Sequence, residues 1–264
     1  MRKNYIKALS AMFAGALISA PVNSADRAIK CGLGSEHNQF LRAEQAVRPV
    51  RQFSYDSPSG YFRIHYDTGG ENAVLNSGVD TLGSRGAPGA DGVPDHINAV
   101  AEIFDSVRAV ILGDPTDGGL GYPTPPPDTV FAFVADSNGL YDVYLRNLGG
   151  IYFGTTLSET QVPDYFLPGN SVSSFTSYIV IDNDYREPSY SNQFNDFITR
   201  PLDAVRVTAA HEYFHAVQFG IDLFEFEDSV SEARFYWYEI SAVAMEELLY
   251  DGIDDYYSYL YSFF

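Results

Sequence analysis

The hydrophobic patterning predicts an α+β fold, on three observations. Strand-like runs begin with the alternation Tyr61-Phe62-Arg63-Ile64-His65-Tyr66 and recur in the middle of the chain. One helical repeat separates that first run from the rest. Two longer helical patterns follow a polar loop at residues 183–200.

Each element has its own signal. Tyr61–Tyr66 alternates like a half-buried strand, and the Gly- and Asp-rich stretch 69–94 reads as loop. Asp95 can cap a helix in which Ile97, Val100, Ala101, Phe104, Val107 and Ile111 recur at three and four, with Gly113 as its stop. Gly118-Gly119, Gly121 and Pro125-Pro126-Pro127 mark a second loop. Strand-like runs follow at Val130–Ala135, Leu140–Leu145, Ile151–Thr155 and Tyr178–Ile181. The first late helix runs from about Asp203 to Phe219, stopped by Gly220, and the second from about Phe235 to Tyr250.

Composition narrows the class of protein. Hydrophobic residues make up 45% of the chain, enough for a sizeable core, which excludes a disordered protein. Arg2, Lys3 and Lys7 precede the apolar run Ala8–Ala20, with small residues at Ser24 and Ala25, so residues 1–24 read as a signal peptide. Its removal takes the formal charge from −19 to −22 and leaves no other run of transmembrane length. The expected product is secreted to the periplasm or the medium, with no membrane insertion after cleavage. So acidic a chain repels nucleic acid; its charge either attracts divalent cations or keeps it soluble. Residues 25–56 form an N-terminal segment of propeptide-like character. Cys31 is the single cysteine and excludes an intrachain disulfide; it pairs outside the chain or has no role.

The chemistry lies in Ala210-His211-Glu212-Tyr213-Phe214-His215-Ala216, an H-E-x-x-H pattern inside a helical repeat. Histidines four residues apart on a helix stand about 6 Å apart along the axis and about 40° around it, so both imidazoles can close on one Zn²⁺. Glu212 sits beside them to take a proton from water. Val207, Ala210, Phe214 and Val217 form the apolar stripe of a helix buried on one side. A catalytic zinc needs a third protein ligand. The downstream acids that could supply it are Glu239, Glu232, Glu246 and Asp222.

The stretch Trp237–Glu246 resembles the second zinc helix of the gluzincin metallopeptidases, in which a glutamate ligand is followed by a small residue at three and an acid at seven. Glu239, Ala242 and Glu246 have that spacing. The resemblance extends over roughly residues 60–260 to a family of secreted bacterial metallopeptidases. It rests on Asp91-Gly92-Val93-Pro94-Asp95, Gly121-Tyr122-Pro123, Tyr141–Leu145 and Phe214–Gln218. It implies a zincin-like fold: a mixed β-sheet, a zinc-binding active-site helix and a following glutamate-bearing helix. It also implies Tyr178–Asp184 as the edge strand that pairs with an extended peptide. By this resemblance His211, His215 and Glu239 bind zinc and Glu212 is the catalytic base, acting on protein or peptide substrates. Glu246 orients a zinc histidine or the facing helix.

Residues 57–264 then form the metallopeptidase domain, expected to be incomplete at its C-terminal end, where the apolar tail Tyr259–Phe264 looks interrupted. Gluzincins stabilise the oxyanion with a further Tyr or His; Tyr256, Tyr257, Tyr259 and Tyr261 qualify by type, or serve in packing. Asp91 and Asp95 resemble the latter part of a Ca²⁺ loop, although Ala87 and Gly89 stand at its earlier ligand positions. His37, His65 and His96 read as surface or strand residues. Two alternatives to the enzyme remain: a non-catalytic exported protein with a structural zinc, and a peptidase relative disabled by truncation.

Overall fold

The computed structural model describes residues 28–32, 48–130, 138–163, 165–166, 169, 172–191, 195–223 and 232–258. Residues 1–24, expected from the sequence to be a signal peptide, together with His37, the run 131–135 and the tail 259–264, lie outside the described residues.

The fold is mixed α/β. Eight strands are described: β1 (Ile29–Cys31), β2 (Phe53–Asp56), β3 (Phe62–Tyr66), β4 (Leu82–Gly83), β5 (Ala87–Pro88), β6 (Tyr141–Arg146), β7 (Tyr152–Pro163) and β8 (Ser173–Asp182). The three described α-helices are α1 (Asp95–Ile111), α2 (Pro201–Asp222) and α3 (Glu232–Tyr250). Six strands form one mixed sheet in the order β1-β7-β8-β6-β3-β2, and β4 and β5 make a small hairpin within the loop before α1. β1 runs parallel to β7, β6 parallel to both β3 and β8, and β7 antiparallel to β8.

Strand alternation divides the core into two layers. Ile64, Val143, Leu145, Ile179 and Ile181 pack with Val100, Phe104 and Val107 of α1 and Val205 and Tyr213 of α2. Tyr144, Tyr178 and Val180 belong to a separate, smaller cluster with Tyr152 and Leu157.

α2 is the central helix. Pro201 suits its first turn, where an N–H has no intrahelical acceptor anyway, and Asp203 complements the positive end of the helix dipole. Asp203 also pairs with Arg200 at 3.0 Å and Arg206 at 2.6 Å. Every residue from Val207 to Val217 is buried, so the expected single apolar stripe gives way to a helix enclosed on all sides. The histidines therefore stand in the interior. Gly220 does not stop α2: a Cβ there would come within 2.8 Å of Pro126 and 3.0 Å of Phe166, so the glycine serves close packing.

Three further expectations change. Tyr178–Asp182 belongs to β8, which lies between β7 and β6 rather than at an edge. Asp95 is the first residue of α1 and does not cap it; its carboxylate accepts from Thr81 N, Thr81 Oγ1 and Leu82 N, holding the preceding loop. His96, expected at the surface or in a strand, is buried in the first turn of α1, whereas His65 is a strand residue of β3, as expected, and is buried there. No described helix is long and apolar enough to cross a membrane.

Candidate metal centre

α2 presents His211 and His215 toward α3, and α3 answers with Glu239 and Glu246. The two helices are held by Gln218, whose Nε2 donates to Ser241 Oγ at 2.9 Å and to the Tyr238 carbonyl at 3.3 Å. Tyr238 OH donates to the Asp222 carbonyl at 2.6 Å, closing the other end of the contact.

The Nδ1 atoms of both histidines have strong acceptors. His211 Nδ1 lies 2.6 Å from Glu246 Oε1, and His215 Nδ1 lies 2.6 Å from Gln218 Oε1. With the ring proton on Nδ1, the lone pair of each neutral imidazole sits on Nε2. Those Nε2 atoms face each other at 3.0 Å, and Glu239 completes a triangle with Oε2 3.4 Å from His211 Nε2 and Oε1 3.3 Å from His215 Nε2. Ligands bound about 2.0–2.1 Å from a tetrahedral metal stand about 3.3 Å from one another, so the triangle has the size of a metal's ligand face.

Electrostatics point the same way. Three electron-rich atoms converge where His211 and His215 are wholly buried and Glu239 is 9% exposed. Glu239 Oε1 makes no hydrogen bond. Burial pulls the His211 imidazolium down, but Glu239 and Glu246 outweigh it and hold its pKa up at about 10. Burial pushes the Glu239 carboxyl up, but the two imidazoles outweigh it and hold it well below the usual carboxylate range. The negative surroundings favour a cation at the centre, either the His211 proton or a metal ion, and the donor set is one that could hold a divalent metal.

Glu212, wholly buried, lies beside the triangle. Thr156 Oγ1 is 2.8 Å from both its Oε2 and its backbone carbonyl, while Oε1 lacks a partner. Burial pushes its carboxyl above the usual range. Close approach of α2 to β7 makes this position possible: a Cβ on Gly154 would meet Thr208 Cγ2 at 2.7 Å and Glu212 Cγ at 3.1 Å.

Two residues invisible to the sequence reading join the site from β1. Cys31 belongs to a group with His211, His215 and Glu239 that could hold a metal ion, the ligand atoms lying within 4.8 Å of one another. Lys30 Nζ reaches Glu246 Oε2 at 2.9 Å and also pairs with Asp255. Burial pulls the Lys30 ammonium down, yet Asp255 and Glu246 outweigh it and leave it raised. Only the exclusion of a disulfide was legible for Cys31, because its partners lie far along the chain.

The other candidates are placed elsewhere. Glu246 Oε1 lies 2.6 Å from the outer nitrogen of His211 and stands outside the triangle. Asp222 Oδ1 accepts from Ser173 N at 3.3 Å, and the Glu232 side chain lies outside the described residues. The Asp91 carboxylate accepts from Ser84 N and Val93 N, and Asp95 from Thr81 and Leu82, so both act in folding the loop before α1. Tyr256 and Tyr257 stack on each other at 4.3 Å, and Tyr259 and Tyr261 lie outside the described residues. No protein-family model, curated protein or solved structure matches this chain.

Proposed function

We propose that this chain is a secreted zinc metallopeptidase of zincin-like, gluzincin type, released after removal of residues 1–24 and acting on protein or peptide substrates. His211, His215 and Glu239 hold Zn²⁺ in this reading, and Glu212 is the proton acceptor. The observation that carries it is the Glu212 carboxylate, buried beside a metal-sized triangle with Oε1 unsatisfied. An orphaned buried acceptor costs about 1–3 kcal/mol, and a purely structural centre has no use for one.

A zinc ion held there would polarise a peptide carbonyl and lower the pKa of a bound water toward ~7. Glu212 takes the proton of the attacking water at Oε1, while Thr156 fixes Oε2. As the water oxygen bonds to the carbonyl carbon and the C–N bond breaks, the same proton passes to the amine. The raised pKa of Glu212 suits a group that must hold a proton and then release it. Glu246 and Gln218 keep both imidazoles in the tautomer with Nε2 bare.

A structural centre is the second reading, favoured by Cys31, which would close the site with four protein ligands. The test is casein cleavage by zinc-loaded wild type and Glu212→Gln, with metal content measured in both. A loss of about 10²–10⁴-fold in rate at unchanged zinc content supports the hydrolase. Equal rates remove Glu212 as the base. Zinc bound without cleavage in either chain favours the structural reading.

A further inference from the structure

We propose that Cys31 Sγ is the fourth ligand of this metal centre, so that β1 closes the site and must withdraw before water or a peptide can reach the metal. This inference rests on the metal reading above. Cys31 is 5% exposed and shares the ligand group with the triangle of His211, His215 and Glu239. Three other wholly buried or nearly buried groups aim at the same point: the two facing Nε2 atoms and Glu239 Oε1, which lacks a hydrogen-bond partner. A thiolate completes a tetrahedral set of two nitrogens, one oxygen and one sulfur, and leaves no open position.

The segment is held at the centre by more than its sulfur. Cys31 is paired in register with Gly154, the residue whose missing Cβ lets Glu212 approach β7. Ile29 N donates to the Ile151 carbonyl at 2.7 Å, and a Cβ on Gly32 would meet the Tyr152 ring at 3.0 Å. Lys30 binds Glu246, the carboxylate that holds His211. β1 also covers the outer edge of β7, next to Glu212, where an extended peptide would otherwise add as a strand. One three-residue strand thus occupies both the ligand position and the adjoining sheet edge. Opening is a ligand exchange: the metal–sulfur bond breaks, a water oxygen takes its place, and a proton from solvent converts the departing thiolate to a thiol.

The test uses Co²⁺ as a spectroscopic probe in the full chain, compared with Cys31→Ser and with Cys31→Ala should the serine variant fold poorly. The expected result is one bound Co²⁺ with a near-ultraviolet thiolate-to-cobalt charge-transfer band, lost in the Cys31 variants while their visible cobalt bands remain. Cobalt bound by wild type with no charge-transfer band overturns the role of Cys31 and leaves the three-ligand reading standing. No cobalt uptake by wild type overturns both. Because the wild-type spectrum alone decides the first point, misfolding of a variant cannot rescue the inference.

Discussion

Two of the clusters of buried ionisable side chains among the described residues, those around Arg48 and around His211, differ in how completely their atoms are satisfied. Around Arg48, Glu159 accepts from Nε at 2.6 Å and from Nη2 at 2.8 Å, Asp128 accepts from Nη1 at 3.2 Å, and Asp142 is engaged by the same Nη1. His65 Nε2 lies 2.7 Å from the other oxygen of Asp142. Donor meets acceptor throughout, and among the described residues no buried oxygen of these three carboxylates lacks a partner. Around His211, two imidazole Nε2 atoms and the Glu239 carboxylate converge on one point, and Glu212 Oε1 and Glu239 Oε1 are left without a hydrogen-bond partner. Burial and charge are common to both clusters; what distinguishes the second is carboxylate oxygens left over beside the two histidines, which is what the proposed metal site rests on.

The contrast gives three expected outcomes, and the scaffold adds a fourth. Arg48→Met strands three carboxylates and should cost about 3–5 kcal/mol in urea unfolding, while the stoichiometry of metal uptake stays that of wild type. Zinc at a free concentration of 1,000 times Kd should stabilise wild type by about 4 kcal/mol over the chelator-treated chain. The same increment should appear in Arg48→Met and vanish in His215→Ala, as thermal unfolding with and without chelator would read.

Acid sensitivity of the scaffold has a separate source. His96, buried in the first turn of α1, is held neutral by desolvation, its pKa pulled down to about 4 from 6.5. The unfolded chain takes up this proton near pH 6.5 and the folded chain only near pH 4, so stability is intact above the first value and falls as pH drops toward the second. The full loss is about 3 kcal/mol. His96→Gln should flatten that slope in urea midpoints taken at pH 7 and pH 5, leaving any residual acid effect to metal release. The smallest effect belongs to Glu246→Gln, which keeps an acceptor for His211 Nδ1 but loses the charge. Zinc affinity should weaken by about 10–100-fold by competition with a chelating dye.

What could be read in the sequence was local. His211, Glu212 and His215 share one helical turn, so their spacing alone brought them into view, while Glu239 and Glu246, two turns apart on the next helix, came from the resemblance to a gluzincin zinc helix. α1 begins and ends close to where its apolar repeat does. The parts that were missed depend on partners distant in sequence. Cys31 and Lys30 become site residues only because β1 crosses to the edge of β7, and Lys30 reaches an aspartate 225 positions away. Sheet order is equally non-local, which is why β8 could be read as an edge strand when β7 and β1 lie outside it. The polar halves of β7 and β8, such as Ser158 to Gln161 and Ser173 to Ser177, lack an alternating apolar signal, so the strand-like runs Ile151–Thr155 and Tyr178–Ile181 mark only part of each strand. Gly220 looked like a helix stop, whereas contact with Pro126 and Phe166 decides its presence.

The central claim is that His211, His215 and Glu239 bind one divalent metal ion. Calorimetric titration of Zn²⁺ into the chelator-treated full chain tests it most directly, alongside His211→Ala, His215→Ala and Glu212→Gln. The expected result is one site per chain, retained in Glu212→Gln and lost in both histidine variants. Uptake below about half an ion per chain by wild type, or undiminished uptake by both histidine variants, would contradict it.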